Sequence, residues 1–305
     1  MNTNETEIIT EAVPTVSISN PPTGFRVIMR EFKKDKLAMA SLIILVVLIV
    51  GIFIGAMMIN QEEVMKVSLS DRYAGPGEGF FLGADQGGRS IMGQLVIGAR
   101  NSIAIGFSIT ILTAIIGIAF GLVTGFYGGM IDNILMRIND FILVLPTLMI
   151  IIVFVTIVPK YNLYSFIFIM SAFYWVGTAR LIRSKALSES RRDYVSASKT
   201  MGTSDFVIIF KQIMPNISSL IIVELTLNFA GNIGIETGLS YLGFGLPPNV
   251  PSLGTLISYS TNPEVLSGMW WIWLPASLLI LVLMLGINYV GQALRRAADS
   301  RQRLG

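Results

Sequence analysis

Neither cysteine nor histidine occurs anywhere in the 305 residues, and each absence removes a class of chemistry. Without thiols there are no disulfides to staple outer loops and no thiol nucleophile. With both side chains missing, a zinc site or a His-based catalytic triad has no parts. Charge is scarce as well, at 13% of residues, about half the share of an ordinary soluble domain. Hydrophobic residues make up 53% of the chain, so folding alone in water cannot hide its apolar surface.

What is present in abundance is uncharged length. A helix that crosses about 30 Å of hydrocarbon needs about 20 mostly apolar residues. Six stretches qualify: 37–59, with no charge inside it, then roughly 102–127, 141–158, 162–179, 217–237 and 270–290. Backbone polar groups find no water in the bilayer core, so each stretch reads as a helix and the fold class as all-α, a polytopic membrane protein. Barrel strands are disfavoured because the runs lack their polar–apolar alternation.

The net charge of +3 describes topology rather than nucleic-acid binding. Positive residues mark the cytoplasmic side. Arg26, Arg30, Lys33, Lys34 and Lys36 precede the first span, and Arg180, Arg183, Lys185, Arg191, Arg192, Lys199 and Lys211 crowd the segment after the fourth. Arg137 falls in another inner segment, and Arg295, Arg296, Arg301 and Arg303 follow the last span, whereas 238–269 holds no Lys or Arg. Both termini are therefore expected inside. The polar stretch 1–23 lacks the basic start and apolar stretch of a cleavable signal and reads as a disordered cytoplasmic tail. The chain divides into that tail, a first span with its basic flank (24–60), an extracytoplasmic segment (61–97) and a membrane core (98–305). The core includes an inner loop near 184–215 and an outer loop near 238–269.

Local signals refine this plan. Gly117, Gly121 and Gly125 recur every fourth residue, which lets a neighbouring helix approach closely. Pro146 is expected to kink the third span, and Trp270, Trp271 and Trp273 read as interface anchors. Arg137 and Asp140, three apart, are spaced to pair. The basic cluster Arg183, Lys185, Arg191 and Arg192 reads first as an orientation signal and lipid contact. In the inner loop, a short helix, a turn at Gly202 and a second short helix capped by Thr203 or Ser204 fit the residues, with Pro215 opening the fifth span.

Within that loop Ser196-Ala197-Ser198, Gly202 and Pro215 stand at the spacing Glu-Ala-Ala, three residues, Gly, then Pro thirteen residues on. This resembles the signature of permease subunits of binding-protein-dependent ABC importers. Ser196 replaces the acidic residue and Ser198 the second alanine. The stretches Leu82-Gly83-Ala84-Asp85, Gly88-Arg89 and Gly98-Ala99-Arg100-Asn101-Ser102 resemble the oligopeptide and dipeptide branch. So do Tyr127-Gly128-Gly129 with Asp132, Met136-Arg137 and Asp140, and Glu236-Thr237-Gly238-Leu239-Ser240-Tyr241-Leu242-Gly243-Phe244-Gly245 with Pro247-Pro248, Pro251-Ser252 and Gly254.

The resemblance implies a type I importer permease fold, with an ATPase-coupling set of Ser196, Ala197, Ser198, Gly202, Asp205 and Pro215. It implies no enzymatic activity in this chain: ATP and Mg are bound by two partner ATPases, so the chain itself holds no cofactor. A homologous second permease, an external peptide-binding protein and a bacterial cytoplasmic membrane complete the picture. Cargo is expected to be oligopeptide or dipeptide, with nickel chelates or glutathione as alternatives. An ion-coupled secondary transporter or a membrane scaffold are the rival classes.

Glu224, Asn228, Asn232 and Glu236 recur every fourth residue in the fifth span. Each step of four advances about 400°, so they share one slowly winding stripe. A carboxylate at bilayer depth costs roughly 2.5–3.5 kcal/mol on insertion scales, so it faces protein or water. The stripe is read as the translocation path, with packing against neighbouring groups as the alternative.

Overall fold

Uncharged segments become helices here because only a helix pairs every backbone N–H and C=O within one segment. The computed structural model describes residues 24–159, 161–247 and 249–302, and the tail expected to be disordered lies outside them. Among the described residues the only strand-like pairing is an isolated bridge between Ala84 and Ser90.

Helices α1 (Gly24–Lys34) and α2 (Lys36–Met58) meet at Asp35, whose carboxylate caps α2 by accepting the Ala38 N–H at 3.0 Å. The 23 residues of α2 rise about 34 Å, enough to cross a bilayer. Its buried positions Ala38, Leu45 and Ile52 fall seven apart, so a narrow stripe packs inward. The other faces expose Ile43, Ile44, Val46 and Val47, the surface that lipid would cover.

After the segment 59–90 come α3 (Ile91–Tyr127), α4 (Gly129–Val144), α5 (Thr147–Ile157), α6 (Leu163–Ser190) and α7 (Asp193–Thr200). The chain ends with α8 (Ser218–Tyr241), the short α9 (Leu253–Ser258) and α10 (Trp270–Gln302). Helices α2, α3, α6, α8 and α10 are each long and apolar enough to span a membrane.

The expected third span, 141–158, is broken rather than merely kinked. Its two parts, α4 and α5, meet at 79° and together make a sixth candidate span. The cause is local: Leu145 is extended, with φ −70° and ψ 138°, because the ring of Pro146 excludes the helical region for the residue before it. The 11 residues of α5 rise only about 16 Å.

Helix ends also outrun the apolar runs. α3 starts at Ile91 rather than near 102, α6 continues to Ser190 rather than 179, and α10 to Gln302 rather than 290. Arg and Lys are good helix formers whose stems lie along apolar neighbours, so loss of hydrophobicity does not end a helix. The inner loop is correspondingly shorter than 184–215.

The tightest pairing is α3 with α6. A β-carbon at Gly117, Gly121 or Gly125 would lie 2.9 Å, 2.6 Å and 2.7 Å from the backbone oxygens of Trp175, Ala179 and Arg183 respectively. The glycine row is thus a packing seam. Polar ties hold α4 to the same helix: Asp132 takes both Nε and Nη2 of Arg183 at 2.5 Å, and Asn139 donates to Val176 O at 3.0 Å. Asp140 pairs with Arg180 of α6, and among the described residues no ion pair joins it to Arg137, since i,i+3 spacing permits such a pair without requiring it.

Candidate translocation and coupling sites

At the base of the bundle, the end where α6 leads into α7, α7 ends in a Schellman closure. The Thr203 N–H reaches Ser198 O and the Gly202 N–H reaches Lys199 O, both at 3.0 Å. This geometry needs a residue with positive φ at position 202, and glycine supplies it at +78°. The chain then turns into a short helix, Asp205–Val207, and a π-helical stretch, Ile208–Ile213. Ser204 is the N-cap but makes no side-chain capping bond, so the expected cap is positional only. Pro215 lies in its own short helix, Met214–Asn216, one turn before α8 begins at Ser218.

This element has two faces. Val195, Ile208, Ile209 and Ile213 are buried against Leu122, Phe126, Ile182 and Ala186 of α3 and α6, and Ser198 ties α7 to the π stretch by donating to Gln212 Oε1 at 3.0 Å. The opposite face is open. Ser196, Ala197, Gly202 and Pro215 are exposed and Asp205 half-buried. Beside them Met201 is 77% and Phe206 70% exposed, with the Phe206 and Phe210 rings in tilted contact, their centroids 4.6 Å apart. This face presents small and aromatic groups with Asp205 beside them, and Ser196 stands where an acidic residue is usual.

The polar stripe of α8 separates into halves. Near the base, Asn228 donates to Glu224 Oε1 and to Thr178 Oγ1, both at 3.1 Å, and both residues are half-buried. Glu224 also borders a cavity of about 890 Å³ between α6, α8 and α10, with Lys185, Glu189, Arg192, Asn216 and Arg295 among its walls. Toward the outer end, Asn232 is buried and donates to Thr110 Oγ1 of α3 at 2.9 Å. Glu236 is fully buried and accepts from Ser240 at 2.8 Å.

The hydroxyls of Ser102, Ser252 and Thr237 also surround the Glu236 carboxyl. Ser102 Oγ accepts the Leu253 N–H at 3.1 Å and Ser252 Oγ accepts the Thr255 N–H at 3.1 Å, which fixes both hydroxyls beside the carboxyl, whose Oε2 is buried without a hydrogen-bond partner among the described residues. A capping box at Ser252 and Thr255 opens α9, and Asn101 donates to Pro251 O at 2.8 Å. Three stretches far apart in sequence thus meet around one acidic side chain.

The other outer motif forms its own knot. Asp85 is buried, taking the Gly87 and Arg89 N–H groups on Oδ1 at 2.7 and 2.9 Å, and Gln94 and Tyr259 on Oδ2 at 2.9 and 3.3 Å. Burial, with the Asp85 charge beside it, pushes the Tyr259 phenol up to about 12.

Sequence reasoning found the stripe but missed its partners Thr110, Thr178, Ser102 and Ser252. Ser102 and Ser252 stand inside the motifs that carry the resemblance, which was the available signal. Thr110 and Thr178 lie in apolar runs with nothing to single them out.

Apolar spanning helices with one broken span, a base built around a compact helix pair, and a cavity opening beside it define a polytopic membrane permease. Residues 117–304 match the model of the family described as binding-protein-dependent transport system inner membrane component, and the chain belongs to that family. Residues 23–76 match the N-terminal TM domain of oligopeptide transport permease C.

Among its relatives, the oligopeptide transport system permease protein OppC of Lactococcus lactis is 52% identical over 90% of this chain and 94% of that protein. The dipeptide transport system permease protein DppC of Bacillus subtilis is 35% identical over 90% and 85%. The fold is also that of a chain of the MetNI methionine ABC transporter in inward-facing form. The TM-score is 0.56 at 18% identity, covering 68% of this chain and 97% of that one.

Proposed function

We propose that this chain forms one half of the pore of an ATP-driven importer of oligopeptides or dipeptides in a bacterial cytoplasmic membrane, with both termini inside. Its relatives are permeases of oligopeptide and dipeptide transport systems, which supports the cargo class. A homologous permease completes the pore, an external binding protein delivers the peptide, and two cytoplasmic ATPases hold ATP and Mg. The chain transports and carries no catalytic residue of its own.

The observation that carries this reading is the two-faced element at the base. Ser196, Ala197, Met201 and Phe206 face outward, while Val195, Ile208 and Ile213 fix the same element to α3 and α6. A partner that grips the outer face therefore moves the helices behind it. The Schellman turn at Gly202 and the Ser198–Gln212 bond keep the element from yielding in between. Energy enters as a difference in contact between two states of the assembly. Glu224, Asn228, Asn232 and Glu236 follow the route, Glu224 bordering the cavity in this state with Asn228 bonded to it, and the outer pair closed off by packing.

Affinity purification of the tagged chain from its host tests this directly. Two ATPases and a second permease should co-purify, and the reconstituted complex with its binding protein should take up peptide only with ATP. Uptake by this chain without ATPases, driven by an ion gradient, would replace the proposal with a secondary transporter.

A further inference from the structure

The base cavity contains charges that the fold leaves unanswered. Glu189 is spoken for, since it pairs with Arg192 at 3.3 Å and accepts the Tyr194 hydroxyl at 3.1 Å. Lys185 from α6 and Arg295 from α10 line the same space, and among the described residues neither has an ion-pair partner. Glu224, on the α8 wall, is bonded by the neutral Asn228 and by no cation. The outer half of the stripe differs, because there Asn232 and Glu236 are both buried and each bonds a hydroxyl of its own chain. At the base, two cations and one carboxylate on three different helices face a volume of about 890 Å³, within the range of small-molecule sites.

A ligand that complements this set carries a carboxylate for Lys185 and Arg295 and a cationic amine for Glu224. We propose that the cavity is a binding site for the charged ends of a short peptide: Lys185 and Arg295 take its terminal carboxylate, and Glu224, oriented by Asn228, takes its terminal ammonium. Arginine holds a carboxylate by paired parallel N–H bonds and lysine adds a point charge. Termini are common to all unblocked peptides, so the site holds cargo without reading its side chains. This inference rests on the peptide-importer reading and assigns the site within it.

The test is equilibrium binding of free, C-terminally amidated and N-acetylated tetra-alanine to the complete nucleotide-free complex in nanodiscs of phosphatidylcholine, without binding protein. Wild type should bind the free peptide about tenfold more tightly than either blocked form, a factor worth about 1.4 kcal/mol. Lys185→Met with Arg295→Met should abolish the preference over the amidated form only, and Glu224→Gln the preference over the N-acetylated form only. Those paired selectivities would not follow from a merely structural role.

Equal affinity for free and blocked peptides, or no detectable binding to wild type, overturns the site. Retention of both preferences in the variants overturns the residue assignment. Loss of the amidation preference when anionic lipid is added would assign Lys185 and Arg295 to lipid phosphate instead, and also overturns it. ATP-dependent peptide uptake by the same complex separates the two levels. Uptake without these selectivities sinks the site alone, whereas absence of uptake sinks the importer reading.

Discussion

Glu224 and Glu236 stand on one helix, each with an asparagine four residues toward the other, yet their surroundings are opposite. Glu236 is enclosed by hydroxyls from α3, α8 and the segment leading into α9, while Glu224 is half-exposed at the wall of a cavity. The same residue types at the same spacing serve packing at one end and an open surface at the other. What differs is whether a third segment folds back over the helix, as 251–258 does at the outer end. The outer half is therefore the rigid end of the molecule and the inner half the accessible one.

The largest effect that tests this contrast is expected from Gly254→Val. A β-carbon there would come within 2.5 Å of Ser240 Cβ and 2.6 Å of Thr237 O, and backbone cannot yield as a flexible side chain can. Overpacking of this kind costs about 3 kcal/mol, so the purified complex should melt far lower or fail to assemble. An unchanged melting temperature would show the outer end to be loose.

A smaller effect is expected from the paired acids. Glu236→Ala removes the acceptor of the buried Ser240 hydroxyl and should cost about 2 kcal/mol. Glu224→Ala should cost under about 0.5 kcal/mol, as substitutions away from buried networks do, while lowering peptide uptake. Thermal melts of both variants give the comparison, and equal shifts would erase it. Smaller still in stability is the double variant Met201→Ser with Phe206→Ser. Both side chains are more than two-thirds exposed, so melting should move by no more than about 0.5 kcal/mol, yet uptake should fall several-fold. Undiminished uptake would detach this face from coupling.

The contrast also explains what sequence could convey. Apolar length identifies spans because the bilayer imposes it, and the glycine row identified a helix seam because close approach demands small residues at one spacing. The period-four stripe was visible for the same reason. Its division was not, since whether Asn232 faces a path or Thr110 depends on a neighbour 122 positions away. Pro146 announced a bend, but its spacing did not announce that the bend would reach the 79° between α4 and α5. The Arg137–Asp140 pair failed similarly, because i,i+3 spacing allows a contact without excluding a better partner such as Arg180. The open charges of Lys185, Glu224 and Arg295 were legible as residues but not as a group, coming as they do from three helices.

The smallest expected effect concerns how the inner end is fastened. Asp35 joins α1 and α2 to the tail of α10 through Arg296 at 3.1 Å, in contrast to the buried hydrogen bonds of the outer end. The Ala38 backbone N–H first, then Arg296, holds the Asp35 carboxyl below its ordinary value. A depressed acid stabilises the fold above its unfolded pKa of about 4, and that contribution is lost as pH falls from there through the folded value. Asparagine caps a helix about as well as aspartate, so Asp35→Asn removes the charge and keeps the cap. Wild type should melt slightly above the variant at neutral pH, with the gap closing below about pH 4 and also at high salt, since exposed pairs are screened. A gap that persisted in acid would mean that α1 is held by shape rather than charge. The inner end would then be as firmly built as the outer one.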